Sequence, residues 1–550
     1  MTRILLGVIA LALVMILMSW FLPRGVPPQN GGGTSVFGPA TLTAHPAPGR
    51  EGPYEVCEND YDVSLPGGHQ IIGRIYAPVL DVDSCRTVDR RFNVVIIAHA
   101  DSVNIGPGGP AGIGCDAEGS GGEGDWECYD TLGRHLASHA MVVISIHRHP
   151  GSITQSDAQE VFDEVLTRNL DWLYNSGESG VEHILSDRIA LIGHSAGGKA
   201  VTQNAGAVTA FGKDLAALVA MSPTVNAAPL SFNGVVPAVM AIHMTGDDDA
   251  LAYGSLSTGG PTQSAFKIYD EAGQTGDPDL FGLEKTMVYV RGGSHYYQEN
   301  LFLRNYVNAF LQTHLNGHAI FRRFLKHQEF PPALSEERLP QDFQIMHEDP
   351  VRLAIDDFED EDREINTRGG SNLFEPAGGF GFVQEGPAWE HDPFSPLSTG
   401  LLYFQTLPAD QDGAARIAFG LPAPLNVAGY RWLGFRIGQA YHPDLNSEGE
   451  NQTLSIRIAA EAGSQTVPLT DHGLSVPFPP VNEAPDPLIN PRPGVTAANG
   501  GTKNALRSYL ISLRAFDNIE LDEVTAIELI FDGVDQQTIF VLDDLAFYGH

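Results

Sequence analysis

Basic residues are scarce in this chain. Its 550 residues contain 32 Lys and Arg against 68 Asp and Glu, which gives a formal net charge of −36. A charge of this sign and size repels the phosphate backbone of nucleic acids and the anionic surfaces of membranes. The composition therefore argues against a nucleic-acid partner.

Cysteine is also rare, and its four positions all lie in the first quarter of the chain: Cys57, Cys85, Cys115 and Cys128. No C-x-x-C spacing occurs among them, so a zinc site is not indicated. An even number of cysteines in an exported protein predicts two disulfides. Four cysteines allow three pairings. The local one, Cys57 with Cys85 and Cys115 with Cys128, needs the least rearrangement of the chain.

A long apolar run lies at the N-terminus, from Ile4 to Leu22, between Arg3 and Arg24. Its length falls between that of a signal-peptide core and that of a membrane-spanning helix. We expect residues 1–25 to be a signal peptide or a membrane anchor, so that the protein is secreted, periplasmic or anchored. Residues 26–52 are expected to be a disordered tail.

A serine flanked by glycines follows an apolar run, in the order Gly193-His194-Ser195-Ala196-Gly197. In this G-x-S-x-G pattern the serine occupies a sharp turn between a strand and a helix, and its strained backbone needs small neighbours. The helix that follows directs its N-terminal amides toward the hydroxyl. An ordinary glycine-rich turn is the alternative. A buried strand before Ser195 and a small-residue helix after it favour Ser195 as a nucleophile.

A serine hydroxyl needs an adjacent base, which is oriented in turn by an acid. Two later apolar runs end in suitable residues. Val236–Met244 leads into Gly246 and three consecutive aspartates, and Thr286–Val290 leads into a segment that ends at His295. The alternative for His295 is an ordinary loop histidine, one of 19 in the chain. The order Ser, Asp, His along the chain nevertheless favours a hydrolase triad.

Apolar runs alternate with helical spacing between about residues 93 and 315. This alternation predicts an α/β fold at 53–326, with a mostly parallel sheet and helices on both faces. Residues 327–350 lack periodicity and are rich in Pro, Glu and Gln, which is typical of a linker. Short strand-like segments separated by turn residues predict an all-β jelly-roll sandwich at 351–550.

The motifs of the first half resemble those of α/β hydrolases, in particular dienelactone hydrolases, chlorophyllases, platelet-activating-factor acetylhydrolases and polyester hydrolases. The resemblance covers roughly Tyr54 to Leu325. It rests on the serine motif and three further segments: Ala98-His99-Ala100-Asp101, Gly246-x-x-Asp249 and Gly292-Gly293-Ser294-His295.

This resemblance implies a role for each site residue. Ser195 is the nucleophile, His295 the general base and Asp249 the acid, because these families place the acid three residues after the glycine. Asp247 and Asp248 rank lower for that reason. The implied reaction is hydrolysis of a carboxylic ester through an acyl-enzyme, with no cofactor required for catalysis. Serine peptidases and thioesterases use the same triad.

The oxyanion hole is expected to combine the backbone N–H groups of Ala196 and Asp101. Relatives usually have His-Gly and then an apolar or aromatic residue, where this chain has His99, Ala100 and Asp101. A carboxylate beside a developing oxyanion opposes catalysis unless it points away or pairs with a cation. A non-catalytic surface or binding protein on a hydrolase scaffold is therefore the alternative to an enzyme.

The C-terminal segment resembles galactose-binding-like jelly rolls, which include carbohydrate-binding modules. The resemblance rests on Ile355-Asp356-Asp357-Phe358-Glu359 near its start and Phe540–Phe547 near its end. It implies attachment to a glycan or polymer surface. It also implies a structural calcium near Asp356, Glu359 and Asp543, because oxygen ligands suit this ion. The alternative for these acids is ordinary solvation at strand ends.

Overall fold

The computed structural model describes residues 47–82, 85–87, 89–99, 129–147, 162–223, 237–246, 265, 268–269, 272, 284–294, 301–326, 343–348, 352–360, 362–387, 400–408, 413–440, 445–446, 450–478, 506–534 and 536–549. No helix within these ranges is long and apolar enough to cross a membrane. The predicted signal peptide or anchor at 1–25 lies outside the described residues, and so does most of the predicted tail.

A ten-stranded sheet dominates the first half of the chain. Its strands are β1 (Glu55–Leu65), β2 (His69–Asp81), β3 (Arg86–Thr87), β4 (Phe92–Ala98), β5 (Met141–Ile146), β6 (Leu185–His194), β7 (Asp214–Met221), β8 (Ala238–Gly246), β9 (Lys285–Ser294) and β10 (Phe343–Glu348). They lie in the order β1-β2-β5-β4-β6-β7-β8-β9-β10, with β3 paired to β2. Strands β4 to β9 pair in parallel. Strands β1, β2, β3 and β10 extend this sheet in the antiparallel direction.

The described α-helices are α1 (Asp130–Ser138), α2 (Phe162–Asn175), α3 (Ala196–Gln203), α4 (Ala205–Ala210), α5 (Leu301–His314) and α6 (Arg322–Leu325). Short 3-10 turns lie at Glu182–Ile184, Ala319–Phe321, Ala377–Gly379, Leu469–His472 and Leu513–Ala515. Helix α2 shows why such segments fold as they do. Its residues Leu166, Leu170 and Leu173 recur at spacings of four and three and are fully buried, so one face of the helix joins the core.

Two antiparallel sheets make up the second half. One contains β11 (Arg352–Asp356), β13 (Phe380–Pro387), β14 (Gly400–Thr406), β16 (Trp432–Gln439), β19 (Arg507–Ser512) and β21 (Thr538–Tyr548). The other contains β12 (Asn372–Glu375), β15 (Arg416–Leu425), β17 (Ser455–Ala460), β18 (Gly463–Pro468) and β20 (Val524–Ile530). Along β17, Ile456 and Ile458 are buried and Arg457 between them is partly exposed, which is the two-residue period of a sheet with one core face.

The fold class predicted from the sequence, an α/β fold with a mostly parallel sheet and helices on both faces, is wrong. Strands account for 47% and helices for 23% of the structure, so its described part is mostly β. Antiparallel pairing occurs in all three sheets, and parallel pairing is confined to β4–β9. The buried apolar runs predicted these central strands, but they carried no information on how the β1–β2 hairpin and β10 join the same sheet.

The range predicted to be a linker, 327–350, contains strand β10. This strand pairs with β9 in a register that runs from Phe343 opposite Val290 to Glu348 opposite Lys285. Backbone hydrogen bonds thus carry the chain along the edge of the first sheet before the second half begins. The domain boundaries 53–326 and 351–550 stay predictions.

Residues Pro46–His550 form one compact unit. One apolar cluster within it contains buried residues of both halves, and we call it the shared cluster. Its members from the second half are Leu401, Ala440, Leu506, Ile539 and Val541. Its members from the segment between β8 and β9 are Ala265, Ile268, Tyr269 and Ala272. The two halves therefore bury apolar surface together.

Candidate active site

The candidate residues follow the carboxyl ends of parallel strands. The strands concerned end at Ala98 (β4), His194 (β6), Gly246 (β8) and Ser294 (β9). Because the carboxyl ends of parallel strands meet at one edge of a sheet, residues that follow them are brought to a common edge. The sheet order places β4 and β7 on either side of β6, and β8 and β9 beyond β7.

Ser195 lies at the junction between β6 and α3 and has an unusual backbone. Its φ is 56° and its ψ is −123°, a conformation that residues with a Cβ rarely adopt. Its N–H donates to the carbonyl oxygen of Met221 at 2.9 Å, and its carbonyl oxygen accepts from the N–H of Lys199 at 3.2 Å. These bonds hold a strained turn, whose cost is about 1–3 kcal/mol, between two packed elements.

The glycines around Ser195 allow this turn to pack closely. A Cβ on Gly193 would lie 2.2 Å from the carbonyl oxygen of Gly197, and a Cβ on Gly197 would lie 2.2 Å from that of Ala98. A Cβ on Gly198 would lie 2.8 Å from the Cβ of Pro223. A larger residue at Gly197 would force the helix away from the end of β4, and one at Gly193 or Gly198 would meet the helix itself or Pro223. The glycines of the motif are therefore explained by close backbone contacts.

Ala196 begins α3, directly after Ser195, and is 5% exposed. The first N–H groups of a helix have no acceptor within the helix, and the helix dipole makes this end partly positive. The N–H of Ala196 thus lies at the partly positive end of a helix directly after Ser195, and its part in an oxyanion hole stays a prediction. Asp101, the second predicted donor, lies outside the described residues.

Asp249 and His295 also lie outside the described residues, but the strands that lead to them are described. Gly246 at the end of β8 is the parallel partner of Ser294 at the end of β9. The N–H of Ser222, which follows β7, donates to the carbonyl oxygen of Ile242 in β8 at 2.9 Å. The carboxyl ends of β7, β8 and β9 therefore lie side by side along the same edge of the sheet.

Two histidines form a pair at this edge; sequence reasoning named His99 as part of a motif but missed His147 and the contact between them. His99 Nε2 and His147 Nδ1 are 3.2 Å apart, and the two rings stack with centroids 5.3 Å apart at an interplanar angle of 18°. His99 is 1% exposed. Each histidine directly follows a buried strand, β4 or β5. That position, a polar residue immediately after an apolar run, was the available signal.

A second polar contact supports the serine turn from below. His194, the residue between the first glycine and Ser195, is 2% exposed, and its Nδ1 lies 3.1 Å from the hydroxyl of Tyr129. Tyr129 immediately precedes α1 and is itself buried. The side chain of His194 thus lies in the core, within hydrogen-bond distance of the Tyr129 hydroxyl.

The structure contains a disulfide between Cys57 in β1 and Cys85, which precedes β3, with Cα atoms 5.4 Å apart. This is the pair expected from local pairing. Cys115 and Cys128 lie outside the described residues, so their disulfide stays a prediction.

The acids predicted to hold calcium each have protein partners. Asp356 accepts from the N–H of Phe358 at 3.2 Å and from Asn372 Nδ2 at 2.7 Å. Glu359 Oε1 accepts from the N–H of Gly400 at 3.1 Å. Asp543 Oδ2 lies 2.6 Å from Arg436 Nη2. Among the described residues no group of three His, Cys, Asp or Glu side chains is arranged to hold a metal, and the calcium stays a prediction.

Burial is the main cause of a raised pKa at two carboxyl groups of the second half, Asp356 and Glu385. Burial raises the pKa of Asp356 to about 7, and the neighbouring carboxylates of Asp357 and Asp360 add to the effect. The hydrogen bonds from Asn372 and the N–H of Phe358 oppose it. Burial likewise raises the pKa of Glu385 to about 8. A bound cation would favour the ionised form of both groups.

No protein-family model matches this chain, and no curated protein matches it either.

Proposed function

We propose that this protein is an exported serine hydrolase that cleaves carboxylic esters through an acyl-enzyme on Ser195. One observation carries the proposal. Ser195 has a positive φ of 56° at a turn from a strand to a helix. The glycines at positions 193 and 197 have no room for a side chain. Residues in such strained conformations cluster at active sites and other functional positions.

The proposed reaction uses the roles that the resemblance implies for the residues after these strand ends. The Oγ of Ser195 attacks the ester carbonyl carbon while His295 accepts the hydroxyl proton, and Asp249 orients the imidazole. The N–H groups of Ala196 and Asp101 stabilise the oxyanion. When the tetrahedral intermediate collapses, His295 gives the proton to the departing alcohol. Water then attacks the acyl-enzyme by the same route and releases the acid.

The surroundings of Ser195 support this mechanism. The N–H that binds Met221 fixes the residue from the side of β7, while the first turn of α3 presents the Ala196 amide on the other side. Ser195 is 7% exposed, so little water competes at the hydroxyl. Donors in such a dry site stabilise developing charge more strongly than they would in water.

Export is supported by the disulfide Cys57–Cys85, since disulfides persist in oxidising compartments. The N-terminal apolar run is in keeping with this compartment. Binding of a glycan or polymer surface by the second half is part of the proposal and depends on the resemblance of that half alone.

A non-catalytic binding protein is the second candidate, and the carboxylate of Asp101 after β4 is the feature that favours it. The test is turnover of p-nitrophenyl acetate by residues 46–550, which form one compact unit, together with covalent labelling by a fluorophosphonate. We expect turnover and labelling in the wild type, and neither in Ser195→Ala.

Ser222 provides the matched control. It is also buried, follows the neighbouring strand β7 and has a positive φ of 39°. Ser222→Ala should keep turnover and labelling, because its hydroxyl has no role in the proposed mechanism. A folded wild type that neither turns over the ester nor reacts with the fluorophosphonate would favour the non-catalytic candidate.

A further inference from the structure

We propose that His147 is a positioning residue for hydrolysis at Ser195, and that it acts through His99 by holding the end of β4 against the first turn of α3. The inference depends on the proposed function, since it concerns the same site. It adds two residues whose part in the reaction neither the serine motif nor the Ser, Asp, His order indicates.

The carboxyl ends of β4 and β5 lie side by side. Ala98 in β4 is the parallel partner of Ile146 in β5, so the next residues, His99 and His147, emerge side by side. Their ring nitrogens lie 3.2 Å apart, within hydrogen-bond distance. The N–H of His147 also donates to the carbonyl oxygen of Ile72 in β2 at 2.8 Å. His147 is thus fixed to the neighbouring strand and in turn fixes His99.

The end of β4 also contacts the turn that carries Ser195. A Cβ on Gly197 would lie 2.2 Å from the carbonyl oxygen of Ala98 and 2.5 Å from that of His99. The backbone of β4 and the first turn of α3 are therefore in direct contact, with only a glycine between them. A movement of the end of β4 changes the support of the turn that carries Ser195 and the Ala196 N–H.

The rate of hydrolysis should be sensitive to a movement of the end of β4. A displacement of about 1 Å of a reacting group can cost about 100-fold in rate. Loss of one oxyanion donor costs about 100- to 1,000-fold. The effect should fall on the transition state, because the oxyanion exists only there. Ground-state binding of the ester should change little.

A purely structural role for His147 is the competing explanation, and the chain offers a matched control. His135 and His139 form another buried histidine pair, with ring centroids 4.8 Å apart and Nε2 of His139 2.7 Å from the carbonyl oxygen of Arg50. His139 lies between α1 and β5, and therefore near the amino end of the parallel strands, away from Ser195. Its loss should affect stability without affecting the site.

The experiment compares His147→Ala, His147→Asn and His139→Ala, each made in the protein of residues 46–550. Measured quantities are the melting temperature, kcat and KM for p-nitrophenyl acetate, and inhibition by phenylboronic acid, whose tetrahedral adduct with serine mimics the intermediate. For His147→Ala we expect kcat to fall by about 10- to 100-fold with KM within about twofold. The inhibition constant for the boronic acid should rise by a similar factor.

The amide of His147→Asn can replace Nδ1 as a partner of His99, so this variant should recover part of the lost kcat. His139→Ala should lower the melting temperature and leave the kcat of the folded enzyme within about twofold. The proposal is overturned if His147→Ala keeps wild-type kcat, or if both alanine variants lose kcat in proportion to their loss of stability. If His147→Ala does not fold, the test is made on folded His147→Asn. The proposal is overturned if this variant has a reduced kcat but binds the boronic acid as tightly as the wild type does. If the folded wild type is inactive and does not react with the fluorophosphonate, the proposed function itself is wrong, and the role of His147 falls with it.

Discussion

Gly246 and Ser294 are partners in the parallel ladder between β8 and β9, at the last described position of each strand. The three aspartates begin one residue after Gly246, and His295 is the residue after Ser294. An acid and a base that leave neighbouring strands at the same level need only short chain segments to meet. The ladder register therefore supports the proposal that the acid of the triad lies in this run.

The position of the acid within the run can be tested by three matched substitutions. We expect Asp249→Asn to lower kcat by about 100- to 10,000-fold, because the imidazole then loses its orientation and its charge partner. Asp247→Asn and Asp248→Asn should stay within about tenfold of the wild type. His295→Ala should be as inactive as Ser195→Ala, since triad members act as a unit. Steady-state hydrolysis of p-nitrophenyl acetate measures all five variants, and greater sensitivity at residue 247 would move the acid.

The backbone of Ser195 leads to a second prediction, about stability. At φ 56° a glycine is not strained, whereas serine and alanine are. Ser195→Gly should therefore raise the free energy of unfolding relative to Ser195→Ala by about 1 kcal/mol, and both should be inactive. Urea unfolding of the two variants measures the difference. If Ser195→Ala were the more stable of the two, the turn would not be strained at this residue.

Sequence alone predicted the parts of this protein that depend on local chemistry. The apolar runs indicated the buried strands β4 and β5, and the glycines indicated the turn at Ser195, since a side chain there would meet backbone atoms. These features are encoded within a few residues. Gly67 and Gly68, which join β1 to β2, likewise both lie at positive φ, a conformation that glycine adopts without strain.

The rest could not be predicted because it depends on pairing between distant segments. Nothing in the local pattern of Phe343–Glu348 indicates that it joins the edge of the first sheet beside β9. The contact between His99 and His147 likewise depends on the register of two strands that are separated by more than forty residues. The mostly parallel α/β fold was wrong for this same reason, since antiparallel neighbours are chosen by tertiary contacts.

A third prediction concerns pH and uses Asp356. Its pKa is about 7 in the folded protein, against an ordinary value of 3.8. Between these values the folded state keeps a proton that the unfolded state has released, so the contribution of Asp356 to stability falls as pH rises from about 4 to about 7. Asp356→Asn cannot ionise. The variant should therefore gain stability relative to the wild type over this range, by on the order of 3 kcal/mol.

Thermal unfolding at pH 5 and pH 8 measures this gain, with EDTA present. Asp362→Asn is the matched control, because Asp362 is an exposed carboxylate near the same site. A difference between Asp356→Asn and the wild type that does not change with pH would contradict the prediction. Repetition with calcium tests the predicted metal site, since a bound cation would stabilise the wild type at pH 8 and leave Asp356→Asn unaffected.

The last prediction concerns the contact between the two halves. Arg436 in β16 donates from Nη1 to the hydroxyl of Tyr269 at 3.2 Å, and its Nη2 lies 2.6 Å from Asp543. All three side chains are buried, next to the shared cluster. The ion pair and the hydrogen bond thus join a strand of the second half to the segment between β8 and β9. We expect the two halves to unfold together for this reason.

Arg436→Ala should destabilise the whole protein by about 3–5 kcal/mol, because it removes the charge partner of a buried carboxylate. Tyr269→Phe, which removes the hydroxyl that accepts from Arg436 and leaves the Arg436–Asp543 ion pair in place, should cost about 1 kcal/mol. Arg457→Ala is the matched control: Arg457 pairs with Glu528 at 3.0 Å on the other sheet but is partly exposed, so its loss should cost less than about 1 kcal/mol. Urea unfolding should be followed by tryptophan fluorescence and by residual ester hydrolysis. If Arg436→Ala shifts the fluorescence midpoint and leaves the midpoint of activity loss unchanged, the halves unfold independently; if both midpoints shift together, the second half is part of the folded enzyme and cannot be removed without loss of activity.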